Sequence, residues 1–564
     1  MSGPRTHVRR RGLLLAVLLC ASVTVAGRAV QLQVVERDAW VTRASEQHAR
    51  QLPLPAPRGA LYDRDGVPLA VSQRAFRVSV APAEVADSVA AAGALVEALG
   101  ISARDAARAV DGRRRWVVLP GLYGAPVRER LAGTPGIHFE TVLERFHPHG
   151  ALALEVLGRI SGDGRALGGL ELELDTLLSG RAGSAVMRRD AHGEPIPGAT
   201  VTVEEPVAGH DVYLTLDFDL QEIAHEALRH AVEETGSAGG DLLMADPWTG
   251  EILAAVSRAG DGSLRWSAVT DPVEPGSTIK PFIVAALLAR GRVTMGDSVD
   301  AASAPFTRAG RGWPTDIHPF GVVTVRDALE RSSNVALARL AQRLTPAEQY
   351  AALRDFGFGT PTGVRYPSES GGRLRRPAEW SSLSQASQAI GYEISVTPLQ
   401  LLMAYGALAN GGTLLEPRLV REVHSPVGQP VARFEAARVR RVVSAGVASQ
   451  VGAALVDVVR AGTAQAASLE TFSVAGKTGT ARRVVSSGYM AGAYTSTFAG
   501  YFPAVDPQLV FLVKLDRPSG AYYGGATAAP VTRETLAAAL AARTTPLDRG
   551  AIARGAAVPG RLAP

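Results

Sequence analysis

At 564 residues, 46% apolar and 20% charged, the chain is long enough for two or three globular domains and too apolar for global disorder. Its formal charge of +5 is small for this length and owes much to Arg5, Arg9, Arg10 and Arg11, which argues against a nucleic-acid partner. Cys20 is the only cysteine, so an intramolecular disulfide is excluded and the fold stands on its core alone.

The basic tail, residues 1–11, precedes an apolar run from Gly12 to about Val35 that is interrupted by Arg28. This run predicts one membrane-spanning helix over 12–35, with Arg28 snorkelling towards the outer interface. Basic residues before it place the N-terminus in the cytoplasm and everything after residue 35 outside. A cleaved signal peptide is the competing reading, and it also exports the bulk of the chain.

A polar, helix-compatible stretch follows, and Pro53, Pro55 and Pro57 mark a stiff entry into a first extracytoplasmic domain; the two together span 36–207. Here strand-like runs such as Phe76–Val80 alternate with helix-like ones around 83–99 and 101–110. Arg113, Arg114 and Arg115 read as a solvated loop. His147 and His149 flank a proline and read as surface or packing residues, since no metal-ligand spacing surrounds them.

From Gly209 the texture changes, and a second domain is predicted over 208–545. Asp211–Leu216 reads as a strand, followed by helical periodicity through Val232. Leu242–Asp246 and Glu251–Val256 read as a hairpin closed by Pro247-Trp248-Thr249-Gly250, and Ser496–Tyr501 and Val510–Leu515 as two more antiparallel strands. Strands at both ends of a helical middle imply an α+β domain whose sheet is assembled from distant parts of the chain. After about 545 the chain is rich in Ala, Arg, Gly and Pro, which predicts a disordered tail over 546–564.

Three lysines stand against 56 arginines. Arginine stays protonated under ordinary conditions, so lysine kept at Lys280 and Lys477, each inside a short motif, suggests a need for an amine that can lose its proton. Pro281 is tolerated only in the first turn of a helix, which places the start of the helix running to about Arg290 near Ser277. Three-residue spacing then puts Lys280 on the face of Ser277, within reach of its hydroxyl. The run Phe282–Leu288 is apolar on every side, so the helix is expected to be buried and the Lys280 pKa lowered by desolvation and by the helix dipole. Ser277 is the candidate nucleophile and Lys280 its candidate base.

Ser332-Ser333-Asn334 interrupts the helical stretches Val325–Arg331 and Val335–Arg343, where a structural cap is the plain alternative. Lys477-Thr478-Gly479-Thr480 precedes the C-terminal strands; Gly479 would let another backbone approach, so that an extended peptide could lie along the strand as an added one.

These three motifs, in this order, resemble those of the penicillin-binding protein transpeptidase family. Arg58–Gly66, followed by Pro68-Leu69-Ala70, resembles the pedestal signature of class B members, and Gly168-Gly169-Leu170-Glu171 a second pedestal motif. Gly391-Tyr392, Val396–Leu401 and Tyr522-Tyr523-Gly524-Gly525 are similar to the septal, FtsI-like branch, and the resemblance covers about residues 12 to 540. Glu393 departs from the pattern, which has a small residue beside the site entrance.

The resemblance implies a serine β-lactamase-like transpeptidase domain, an antiparallel sheet flanked by helices, on an elongated pedestal anchored in the bacterial cytoplasmic membrane, with the catalytic domain periplasmic. It implies that Ser277 attacks the carbonyl between the terminal D-alanines of a peptidoglycan stem peptide while Lys280 takes its proton. Ser332 would relay a proton to the leaving D-alanine, Asn334 would hold the donor amide, and Lys477, Thr478, Gly479 and Thr480 would bind the substrate. Backbone N–H groups of Ser277 and Thr480 would form the oxyanion hole, each contributing roughly 3 kcal/mol. No cofactor or metal is implied. Expected partners are stem peptides as donor and amine acceptor, β-lactams as covalent inhibitors, a SEDS-type glycan polymerase and division-complex membrane proteins. A carboxypeptidase or β-lactamase on the same fold, an elongation-specific transpeptidase, and a non-catalytic scaffold are the competing readings.

Overall fold

The computed structural model describes residues 4–38, 40, 49–189, 195–308, 310–485, 488–542 and 544–556. Pro4–Val30 form one α-helix that runs into a π-helical turn, Gln31–Val35. The stretch Arg9–Val35 has a mean hydropathy of 2.2 and is unburied, so it is long and apolar enough to cross a membrane. Leu13, Leu15, Leu18 and Val25 all point outward, as side chains bathed in lipid would. This helix belongs to a compact unit comprising residues up to Pro57 and Gly180–Ala208, which also holds a three-stranded sheet of Ala49–Leu54, Gly183–Arg189 and Pro195–Glu204.

The second unit joins Arg58–Ser179 to everything from Gly209 onward, so the division does not fall at the single boundary expected at 207. Pairing explains the difference. Strand Asp211–Leu214 does not enter the second domain's own sheet. It runs parallel to Leu61–Tyr62 and antiparallel to Val420–His424, in a seven-stranded sheet shared by both halves of the chain. Gly209 and Gly59 are needed at this joint, because a Cβ on either would fall within 2 Å of the carbonyl oxygen of Leu178 or His210. Nearby, Glu171 is fully buried and held by two guanidiniums, Arg58 Nε at 2.5 Å and Arg145 Nε at 2.6 Å. Losing either arginine would leave a buried carboxylate half paired.

The central sheet is antiparallel throughout, in the order Ile252–Arg258, Gly239–Ala245, Leu509–Asp516, Gly488–Phe502, Ala475–Val485. Side chains alternate between its faces. Leu243, Ala255, Ala499 and Leu512 pack with helices Lys280–Ala289 and Pro398–Ala409, whereas Leu242, Met244, Phe498 and Phe511 pack with Phe218–Thr235 and Ala528–Ala541. The α+β arrangement read from the sequence is therefore present, including the 242–256 hairpin. The third lysine, Lys514, is buried in this sheet between Asp241 at 2.7 Å and Asp516 at 2.8 Å.

His149 packs against Phe218, with ring centroids 4.5 Å apart and the rings tilted by 55°, in the packing role expected of it. The tail prediction needs correction. Arg549–Ala556 is a helix, and Leu547 and Ile552 are buried in the core beside Ala528–Ala541. Two apolar anchors in an alanine- and arginine-rich stretch suffice to dock it; only 557–564 lie outside the described residues.

Candidate active site

Ser277 sits in a 3₁₀ turn, Gly276–Ile279, that leads directly into helix Lys280–Ala289, with Pro281 in its first turn as the sequence required. Every residue from Lys280 to Leu287 is buried. The turn is gripped from three sides. Gly391 packs against it so closely that a Cβ would lie 2.0 Å from the Gly276 carbonyl oxygen, and the Gly276 N–H donates to the Gly391 carbonyl at 3.1 Å. Gly479, on the strand at the end of the sheet, brings that strand against Pro275 and Thr278, where a Cβ would lie 2.8 Å from both. From beneath, the Tyr405 hydroxyl donates to the Thr278 carbonyl at 2.9 Å.

The Lys280 amine is buried and contacts the Ser332 carbonyl oxygen at 2.6 Å, the Asn334 Oδ1 at 2.7 Å and the Ser332 Oγ at 3.1 Å. Burial lowers its pKa to about 7, against a weaker opposing pull from the Asp316 charge. Two of the three neighbours are carbonyl oxygens, which only accept. A neutral amine has two N–H groups for them and keeps its lone pair for a hydroxyl proton. Ser332 holds a left-handed backbone, φ 58°, a strained conformation for serine of the kind found at functional sites.

The Ser277 hydroxyl has no hydrogen-bond partner among the described residues, and Lys280, placed on its face by three-residue spacing, makes its own bonds elsewhere. The amine is drawn instead to the Ser332–Asn334 turn, whose three oxygens satisfy it fully. Lys477 is also buried, and its amine donates to the Thr478 carbonyl at 3.2 Å rather than to Ser332. Burial, then the neighbouring Lys280 charge, hold its pKa well below the ordinary lysine value. Two buried amines close together cannot both stay charged cheaply.

The Thr478 and Thr480 hydroxyls are engaged, one with the Thr463 hydroxyl at 2.7 Å, the other accepting the Gly524 N–H at 3.0 Å. Gly524 is thereby pressed onto the strand, where a Cβ would lie 2.5 Å from the Gly479 carbonyl oxygen. Tyr522 beside it stacks on Tyr494 at 4.1 Å.

Sequence reasoning missed Asp316. Its carboxylate accepts from the Ser333 hydroxyl at 2.6 Å and from the backbone N–H groups of Asn334 and Val335, which open helix Asn334–Ala341. It thus works as a second N-cap, delivered by a loop that no periodicity marks. Asp316→Asn is expected to lower stability by about 1–3 kcal/mol, since bonds to a charged acceptor are being weakened. It should also move the titration of Lys280 to lower pH, because the charge that favours its protonated form is gone. Thermal unfolding and the pH dependence of acylation check the two parts.

Glu393, the departure noted in the sequence, is built into the wall of the site. Its carboxylate accepts from Arg375 at 2.5 Å, Ser384 at 2.7 Å and Ser387 at 2.8 Å.

A family model described as the penicillin binding protein transpeptidase domain matches residues 240–537, and one for the penicillin-binding protein dimerisation domain matches 53–214. The chain is 32% identical to a probable peptidoglycan D,D-transpeptidase, PbpC, of Pseudomonas aeruginosa, over 95% of both chains. It is 28% identical to the peptidoglycan D,D-transpeptidase FtsI of Escherichia coli K12, over 97% of this chain and 93% of that one. A crystal structure of penicillin-binding protein 3 from Mycobacterium tuberculosis complexed with aztreonam superposes with a TM-score of 0.67 at 28% identity, over 86% of this chain and 96% of that one.

Proposed function

The chain belongs to the penicillin-binding protein transpeptidase family, and from that premise we propose that it crosslinks peptidoglycan stem peptides through an acyl-enzyme on Ser277. It is a class B member, a peptidoglycan D,D-transpeptidase with one N-terminal helix suited to anchoring it in a membrane. The observation that carries the mechanism is the buried Lys280 amine, one helical turn from Ser277 and shared with Ser332 and Asn334.

Ser277 attacks the carbonyl between the two terminal D-alanines while Lys280 accepts its proton. The N–H groups of Ser277 and Thr480 hold the oxyanion, as preorganised donors do in acyl transfer. Ser332 passes a proton to the leaving D-alanine, and Asn334 turns its amide from Lys280 towards the donor peptide. Lys477 supplies positive charge for the substrate carboxylate, with Thr478 and Thr480 exchanging their present partners for it. An amine from a second stem peptide then takes the acyl group. A β-lactam acylates the same serine because its strained ring imitates the scissile amide.

Incubating the detergent-solubilised protein with uncrosslinked peptidoglycan bearing pentapeptide stems should yield dimeric stems together with free D-alanine. Free D-alanine with no dimer would favour a carboxypeptidase instead. The rate of acylation should rise about tenfold between pH 6 and 8 and then level, since the base form of a group titrating near 7 grows from about a tenth to about nine tenths. Stopped-flow acylation across that range measures it.

The septal role rests on Tyr522-Tyr523-Gly524-Gly525 and on the likeness to FtsI. Residues 1–11 then lie in the cytoplasm and the catalytic domain in the periplasm, where a SEDS-type glycan polymerase and division proteins are its partners. Depletion should produce filaments; spherical cells would instead assign it to elongation.

A further inference from the structure

Four hydrogen bonds stitch the approach to the nucleophile, residues 273–276, onto the loop 391–396. Val273 and Val396 exchange a pair at 2.9 and 2.8 Å, and the Gly276 N–H donates to the Gly391 carbonyl at 3.1 Å. The fourth comes from Glu393, whose backbone N–H donates to Glu274 Oε1 at 2.9 Å. Glu393 adopts φ 58°, a left-handed conformation that a glutamate reaches only against a steric cost. What holds it there is its own carboxylate, which takes three donors. Arg375 comes from the preceding loop, and Ser384 and Ser387, both buried, come from helix Ser384–Ala389.

We propose that Glu393 is a positioning residue for the nucleophile: its anchored carboxylate fixes the 391–393 turn so that the Gly391 carbonyl and the Glu393 N–H clamp Gly276 and Glu274 on either side of Pro275, immediately ahead of Ser277. Glu274 shares a wall with the Tyr489 hydroxyl, which donates to the same Oε1 at 3.3 Å, so the clamp is closed by the strand Gly488–Phe502 as well. A glycine at 393 would adopt the turn without strain but would leave it unanchored. In this chain the anchor replaces conformational freedom, and Arg375, Ser384 and Ser387 exist at their positions to receive it. Small displacements of a nucleophile are costly in rate while leaving reversible binding nearly intact, because binding draws on the whole cleft.

The kinetic arm of the test rests on the Ser277 acyl-enzyme; the second arm does not. Full-length Glu393→Gln and Glu393→Gly in detergent are compared with the parent for reversible binding and acylation of a fluorescent penicillin. Hydrogen exchange is read by mass spectrometry on the peptide covering 271–282. The expected result is acylation about tenfold slower with reversible binding changed less than twofold, and faster exchange confined to 271–282 and 391–396. Exchange at 271–282 equal to the parent's in both variants would overturn the proposal. So would losses of binding and acylation that merely follow a general fall in thermal stability with exchange raised throughout. If glutamine at 393 prevents folding, the glycine variant, free of backbone strain, carries the test alone. A parent that takes up no label would count against the acyl-enzyme, and the exchange arm would still decide the role of Glu393.

Discussion

Purified Ser277→Ala protein should take up no fluorescent penicillin on a denaturing gel, while unfolding at the parental temperature. The side-chain change is a single oxygen on a half-buried residue whose hydroxyl has no hydrogen-bond partner among the described residues, and the backbone bond from the Lys280 N–H to the Ser277 carbonyl is untouched, so folding has nothing to lose. The chemistry loses its only acyl acceptor. Removal of the nucleophile from a serine acyl-transfer site costs on the order of 10⁴-fold or more in rate, because residual turnover comes from binding and the oxyanion donors alone. Neither neighbouring hydroxyl can substitute: that of Ser332 belongs to the Lys280 network, and that of Thr278 donates to the Pro275 carbonyl at 2.7 Å. Labelling of the alanine variant at even a hundredth of the parental rate would remove Ser277 from the mechanism.

Lys280→Arg tests the proton transfer itself. Guanidinium keeps its proton at any pH the protein survives, so a variant that retains the charge and hydrogen-bonding capacity but cannot act as a base should acylate roughly 10²- to 10⁴-fold more slowly. Arginine is also larger and the position is fully buried, so thermal unfolding must accompany the kinetics. The discriminating readout is pH. In the parent, acylation should rise as Lys280 loses its proton near 7; in a folded arginine variant the residual rate should no longer follow that titration. An arginine variant with a near-parental rate would mean that some other group takes the Ser277 proton.

Features with a local cause were legible in the sequence. Pro281 announced where the helix Lys280–Ala289 begins, the capping residues Ser332, Ser333 and Asn334 announced a break between two helices, and Gly479 announced a close approach to its strand, which in the structure is made by Pro275 and Thr278 rather than by an added peptide. Features made by contacts distant in sequence were not. Asp316 lies in a loop and acquires its role only when Ser333 is folded against it. Strand Asp211–Leu214 reads correctly as a strand, but its partners, Leu61–Tyr62 and Val420–His424, lie well over a hundred residues away on either side, and nothing local says which sheet will receive it. Glu393 was visible as an oddity, yet its meaning needed Arg375 and two serines brought to it by the fold. The actual partners of the Lys280 amine were not legible for a related reason: spacing along a helix says which residues share a face, not which other oxygens compete for the amine.

All three lysines are interior, with Lys280 and Lys477 wholly enclosed and Lys514 at 2% exposure. The surface is therefore almost devoid of primary amines, the very group that resolves an acyl-enzyme by aminolysis. Such an exterior offers an acyl-enzyme no lysine acceptor, either on the same molecule or on a neighbouring copy. Amine-directed dyes and crosslinkers will likewise find little to modify on the folded protein, whereas guanidine- or carboxylate-directed reagents will.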